Sequence, residues 1–205
     1  MRRLIEQHPL RRGAHPTREL GMCAMEMVAW LAGEPHSDEP SCTCPVLAAL
    51  VRACNDTLSD EARNRHLRPL LPLLVNTRGS AACERARGLL AQDVLVRKLT
   101  PALLRQKRRH EEANLLASLP PIETTEALRA ALRAMEHYAR DQHAAMWVLQ
   151  RSLDDVAPAR FVAGVVQVAK ALNDDATWLI VVDLIAAMAR YGRAAEQRAA
   201  SESAD

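Results

Sequence analysis

Hydrophobic positions recur along most of this chain every three or four residues, the spacing that lines one face of an α-helix, and they nowhere alternate with polar ones over a strand's length. The pattern predicts a first helix over 17–32 with Thr17 at its N-cap, closed by Gly33 and Pro35. The loop EPHSDEPSCTC follows, and Pro45, just after Cys44, opens a second helix through VLAALVRACND. Ser59 caps a short third helix, Pro69 and Pro72 interrupt the run LRPLLPLLV, and Ser80 begins a long helix reaching Leu99. Thr100-Pro101 then reads as a cap and first-turn pair that restarts the chain at a new angle. Beyond a short helix over 111–119, amphipathic helices are predicted over 125–140, 143–153, 158–172 and 176–191, the last capped by Asp174 or Asp175 and ended by Gly192.

These elements define an all-α fold with no sheet, either a multi-helix bundle or a short solenoid-like stack of helix pairs. Four segments are expected. Residues 1–16, basic through Arg2, Arg3, Arg11 and Arg12 and broken by Pro9, Gly13 and Pro16, read as a solvated N-terminal arm. Residues 17–119 form a helical subdomain with the Pro/Cys loop, and Pro120-Pro121 marks a seam before a C-terminal helical subdomain over 122–192. The tail over 193–205 has no apolar face to bury and is expected to be mobile.

Composition sharpens the picture in three places. The 205 residues suffice for a hydrophobic core, and the 49% apolar share rests on Ala, Leu, Val and Met, with one Phe, two Tyr and three Trp. The net charge of +2, from 27 basic and 25 acidic residues, argues against a nucleic-acid partner, whose binding would draw on many phosphate contacts. The preponderance of Arg over Lys reads as codon usage in a GC-rich bacterial genome. The apolar stretch over 178–189 is too short for a bilayer and is interrupted by Asp183, and no apolar leader opens the chain. With an odd count of five Cys, this places reduced thiols in a cytoplasmic protein.

The segment over 21–55 is unlike the rest, with four of the five Cys (Cys23, Cys42, Cys44, Cys54) and a His-Ser-Asp run between prolines. Its Met25-Glu26, Gly33-Glu34-Pro35, Ser37-Asp38, Pro40, Cys42, Pro45-Val46 and Asn55-Asp56 resemble a group of uncharacterised helical proteins of GC-rich bacteria with a Gly-Glu-Pro-x-Ser-Asp-x-Pro-x-Cys loop. The likeness extends through LRPLLPLLVNTRG and AQDVLVRKLTPALLR, over about residues 20–120, and fades in the last third. It implies a shared fold and brings no activity.

Three chemistries compete for this loop. A zinc site would draw on His36, Cys42 and Cys44, completed by Cys23 or Cys54, yet a C-x-C pair lacks the reach of the usual C-x-x-C knuckle. A reactive thiol would be Cys44 at a helix N-terminus, with His36 as base oriented by Asp38 or Glu34, although adjacent His36, Ser37 and Asp38 cannot form a triad among themselves. The third reading is structural and is preferred: Pro35, Pro40 and Pro45 fix the backbone while Ser37 and Asp38 satisfy turn N–H groups.

Charges inside apolar helices add a further expectation. Glu26, flanked by Met22 and Trp30 one turn away, is expected to be buried and to pair with Arg52, and Asp183 within WLIVVDLIAAM is expected to be buried opposite Lys170 or Arg160. Asp93 pairs locally with Arg97. His66, His110, His137 and His143 read as surface residues, and no phosphate loop, H-E-x-x-H, G-x-S-x-G or G-x-G-x-x-G is present. The functional expectation is a non-enzymatic scaffold or adaptor without a cofactor, binding a protein partner in a bacterial multi-component system. The alternative is a zinc-binding or thiol-based enzyme or sensor sited at 36–44.

Overall fold

The computed structural model describes residue 5, residues 7–136 and residues 158–202, and among them the fold is all-α, without strands. The expected helix over 143–153, together with Arg2, Arg3, His137 and His143, lies outside the described residues. The helices are α1 (Ala24–Leu31), α2 (Pro45–Thr57), α3 (Asp60–His66), α4 (Leu71–Leu74, after a 3-10 turn at Arg68–Leu70) and α5 (Ala81–Val94). They continue with α6 (Thr100–Gln106), α7 (His110–Ser118), α8 (Thr125–Glu136), α9 (Pro158–Leu172) and α10 (Asp175–Glu202). None of the described helices is long and apolar enough to cross a membrane.

Two compact units make up the chain: Met1–Glu84 with Ile185–Asp205, and Arg85–Leu184. The divisions fall inside α5 and α10, so Pro120-Pro121 lies within the second unit. In that unit Val96, Leu104, Ala113, Leu116, Ile122, Leu128 and Ala131 form a buried cluster, closed by Leu89 and Leu119. In the first unit α1 packs on α2 and α4, burying Met25, Val28, Leu47, Leu50, Leu71 and Leu74.

Several local departures have clear physical causes. The first helix begins at Ala24 instead of Thr17, because the Cys23 sulfur accepts the Glu26 N–H and the Glu26 carboxylate returns to the Cys23 N–H, closing a capping box. Thr100-Pro101 does not restart the chain. Thr100 is fully helical (φ −61°, ψ −44°), and the turn over Leu95–Leu99 widens to a π-helix in which the Thr100 N–H reaches the Leu95 carbonyl. The wider turn relieves the clash that a proline ring makes with the carbonyl four residues back, so the rod continues. Gly192 does not stop the last helix, which runs to Glu202. Asp174 is its cap, receiving the Thr177 N–H at 2.8 Å.

Asp183 is exposed rather than buried. Its neighbours Val181, Leu184, Ile185 and Met188 face inward, whereas Asp183 shares the outer stripe of Leu179, Ala187 and Arg190. The apolar run around it misleads because helix geometry, not local composition, chooses the face.

Candidate functional site

The chemistry-bearing residues meet where the N-terminal arm crosses α1 and the 33–44 loop. Glu26 is the centre, 1% exposed in the first turn of α1. Its Oε1 accepts the His15 N–H at 2.6 Å, and its Oε2 accepts the Cys23 N–H at 2.7 Å and the His15 Nδ1–H at 3.0 Å. His36 Nε2 donates to the His15 carbonyl at 2.8 Å and stands 3.6 Å from Glu26 Oε1. Burial raises the Glu26 carboxyl, but the two backbone N–H groups and the His15 side chain outweigh it and hold the group below the ordinary carboxylate value.

Arg52 is not the partner of Glu26. Its guanidinium instead donates to the Asp38 carbonyl at 2.8 Å and lies 3.6 Å from the exposed carboxylate of Glu39, with its side chain part-exposed. The reason is that the arm brings a backbone N–H and an imidazole to Glu26 from a segment expected to be solvated, leaving no place for a guanidinium.

The loop is held by its own polar groups. Glu34 accepts from the Ser41 N–H, the Ser41 hydroxyl and the Cys42 N–H, at 2.7, 2.7 and 2.8 Å, which brings its carboxyl below the ordinary value, the Ser41 hydroxyl contributing most. The Ser37 hydroxyl accepts the Glu39 N–H in a short turn. Thr77, 2% exposed, receives the Cys44 N–H and donates to the Leu74 carbonyl, while the Cys42 carbonyl accepts the Arg78 N–H. Asp38 contributes its backbone carbonyl, which accepts from Arg52.

The five cysteines are free. Cys23 caps α1, and burial pushes its thiol up to about 12. Cys54 lies in the core on α2, likewise pushed up to about 12 by burial. Cys44 occupies the N-cap position of α2, yet its side chain makes no capping hydrogen bond. Cys42 Sγ is 3.6 Å from the Thr43 hydroxyl. Among the described residues, no three side chains of His, Cys, Asp or Glu are grouped to hold a metal ion.

The residues that sequence reasoning missed are those that fasten the arm. Asn64 clasps Leu10 from both sides, its Oδ1 accepting the Leu10 N–H at 2.8 Å and its Nδ2 donating to the Leu10 carbonyl at 3.1 Å. Asn55 accepts the Ala24 N–H and donates to the Arg11 carbonyl, and Asp56 accepts the Gly13 N–H. Leu10 is 1% exposed, and Trp30 is flanked by the His8 ring, edge-on at 5.1 Å, and the Arg18 guanidinium at 5.4 Å. Gly21 completes the crossing: with φ +141°, a Cβ there would meet Arg11 and His15 side-chain atoms at 2.8 Å. The available signal was Asn55-Asp56, two turn-forming residues at the end of an apolar helix with no local backbone to cap. Compared with known proteins, the chain matches no family model, no curated protein and no solved structure.

Proposed function

We propose that this chain is a non-enzymatic helical scaffold or adaptor that binds a protein partner within a multi-component system of the bacterial cytoplasm. One observation carries the reading: the polar groups of the 33–44 loop are spent on holding backbone, Glu34 across Ser41 and Cys42, Thr77 under Cys44, and Arg52 on the Asp38 carbonyl. A loop so tied presents folded surface to a partner. The alternative, a zinc or thiol site at 36–44, requires His36 to meet Cys42 or Cys44, whereas His36 donates to the His15 carbonyl.

Native mass spectrometry of the protein isolated from its own cells tests the reading. A reproducible complex with a second polypeptide, retained by a Cys42→Ser, Cys44→Ser double variant, is the expected result. Stoichiometric zinc lost in that folded variant would put the metal reading first.

A further inference from the structure

Residues 10–15 lie on the first unit as a bound peptide lies on a receptor. Their contacts run through the backbone: Asn64 holds both amide groups of Leu10, Asn55 the Arg11 carbonyl, Asp56 the Gly13 N–H, Glu26 the His15 N–H and His36 the His15 carbonyl. Two side chains of the segment are turned inward, Leu10, which is almost wholly buried, and His15, which meets Glu26. The segment bends at Arg12 and Gly13, the latter at φ +76°, so a chain with the same bend, a glycine at that place and a suitable anchor meets the same donors and acceptors. The seat carries the carboxylates of Glu26 and Asp56; the arm sets His15 against Glu26 and places the exposed Arg11 and Arg12 next to the Gly13 amide that Asp56 holds, so the charges are complementary.

We infer that this seat, formed by α1, α2, α3 and the 33–44 loop, is a peptide-binding surface filled by the chain's own arm, and that a bent basic segment of a partner protein, with an aliphatic anchor and a glycine three residues after it, displaces the arm to dock there. The inference rests on the scaffold reading and names the surface that reading requires. A second copy of this chain is the weaker occupant. Its identical arm gains no contact over the tethered one, which the 16–22 connection holds at an effective concentration on the order of millimolar. A partner segment can gain, because the arm leaves Arg11, Arg12 and Ala14 exposed.

The test uses full-length protein and a fluorescent synthetic peptide of residues 7–16, QHPLRRGAHP, followed by anisotropy. A full-length Leu10→Asp variant, its own arm loosened, should bind the peptide with a Kd of roughly micromolar order, and the natural chain about a thousandfold more weakly because its arm competes. Asn64→Ala in the Leu10→Asp background should weaken binding about tenfold, and a peptide with Asp in place of the leucine should not bind. Absence of peptide binding to a folded Leu10→Asp variant, or equal binding of the two peptides, overturns the inference. So does a concentration-dependent dimer of the natural chain that Leu10→Asp abolishes, which would assign the seat to a second copy's arm.

Should Leu10→Asp fail to fold, hydrogen exchange on the natural chain decides. The Leu10, Gly13 and His15 amides should exchange by local opening about a hundredfold faster than the Leu50 and Val51 amides of α2, and equal rates would make the arm a fixed part of the core and overturn the inference. A partner complex found without peptide binding defeats this inference and leaves the scaffold reading standing, whereas absence of any partner complex defeats that reading itself.

Discussion

His15 and Glu26, eleven residues apart, form a two-point contact in which the carboxylate receives both the backbone N–H (2.6 Å) and the ring Nδ1–H (3.0 Å) of the histidine. A nearly inaccessible carboxylate thereby fastens the arm and caps α1 through Cys23. Replacing Glu26 by Leu strands the His15 and Cys23 N–H donors and should destabilise the fold by about 3 kcal/mol in chemical denaturation. The acid limb has a definite sign. Because the folded carboxyl lies below its ordinary value of 4.5, the unfolded chain binds the proton more readily, and stability falls as pH drops from near 4.5 through the folded value. Glu26→Gln should flatten that fall, and an acid limb unchanged from the natural chain would refute the assignment.

Arg63, 1% exposed, sets its guanidinium under the end of α2, donating to the Asn55 carbonyl at 2.6 Å and the Leu58 carbonyl at 2.8 Å while pairing with Asp60. Helix C-termini leave carbonyls unsatisfied, and here one planar side chain from the next helix supplies the donors. Arg63→Met should cost about 3 kcal/mol, since the carbonyls stay buried without partners. Arg63→Lys should recover only a fraction, because an ammonium lacks the fork that spans both oxygens. A thermal melt in which Arg63→Lys matches the natural chain would contradict this geometry.

What was legible in the sequence follows from the range of each interaction. The helical fold and the entry into α2 at Pro45 depend on residues within a turn or two of one another, and so did the Asp93–Arg97 pair, seen at 2.9 Å. The partner of Glu26 did not. An arm rich in Arg with Pro9, Gly13 and Pro16 looks solvated by composition, and only tertiary structure shows that Asn55, Asp56 and Asn64, some 40 to 55 residues later, hold its backbone. Asp183 and Thr100 failed for a different reason. Each was judged by its neighbours in sequence, whereas facing is set by helical phase and a π-turn can absorb a proline.

Arg108 closes α6 with φ +61°, a left-handed position ordinarily filled by glycine, with the Arg109 N–H bonded to the Leu104 carbonyl. A Cβ in that conformation is strained, while the exposed side chain offers little in return. Arg108→Gly should therefore raise stability by about 0.5 to 1 kcal/mol, read as a higher denaturation midpoint with unchanged slope. Arg108→Val, β-branched at the same φ, should lower it. The other left-handed non-glycine positions among the described residues, Asn76 (φ 57°) and Asn173 (φ 52°), already carry the residue that best tolerates the conformation after glycine, so glycine there should gain less.

Thiol chemistry separates the scaffold from the enzyme reading. Cys23 and Cys54 are buried and pushed up to about 12, so almost none of either is thiolate at pH 8, and Cys44 is buried as well. Cys42 and Cys83 are part-exposed. Alkylation of the native chain at pH 8 should therefore modify Cys42 and Cys83 first and leave the other three until the protein unfolds, with the order read by peptide mass spectrometry. The Cys42 sulfur lies 3.6 Å from the Thr43 hydroxyl and is also hydrogen-bonded to the Glu34 carboxylate, both within the loop itself. A Cys44 that reacts faster than Cys42 in the folded protein, and loses that advantage in His36→Ala, would show an activated thiol with its base and displace the scaffold reading.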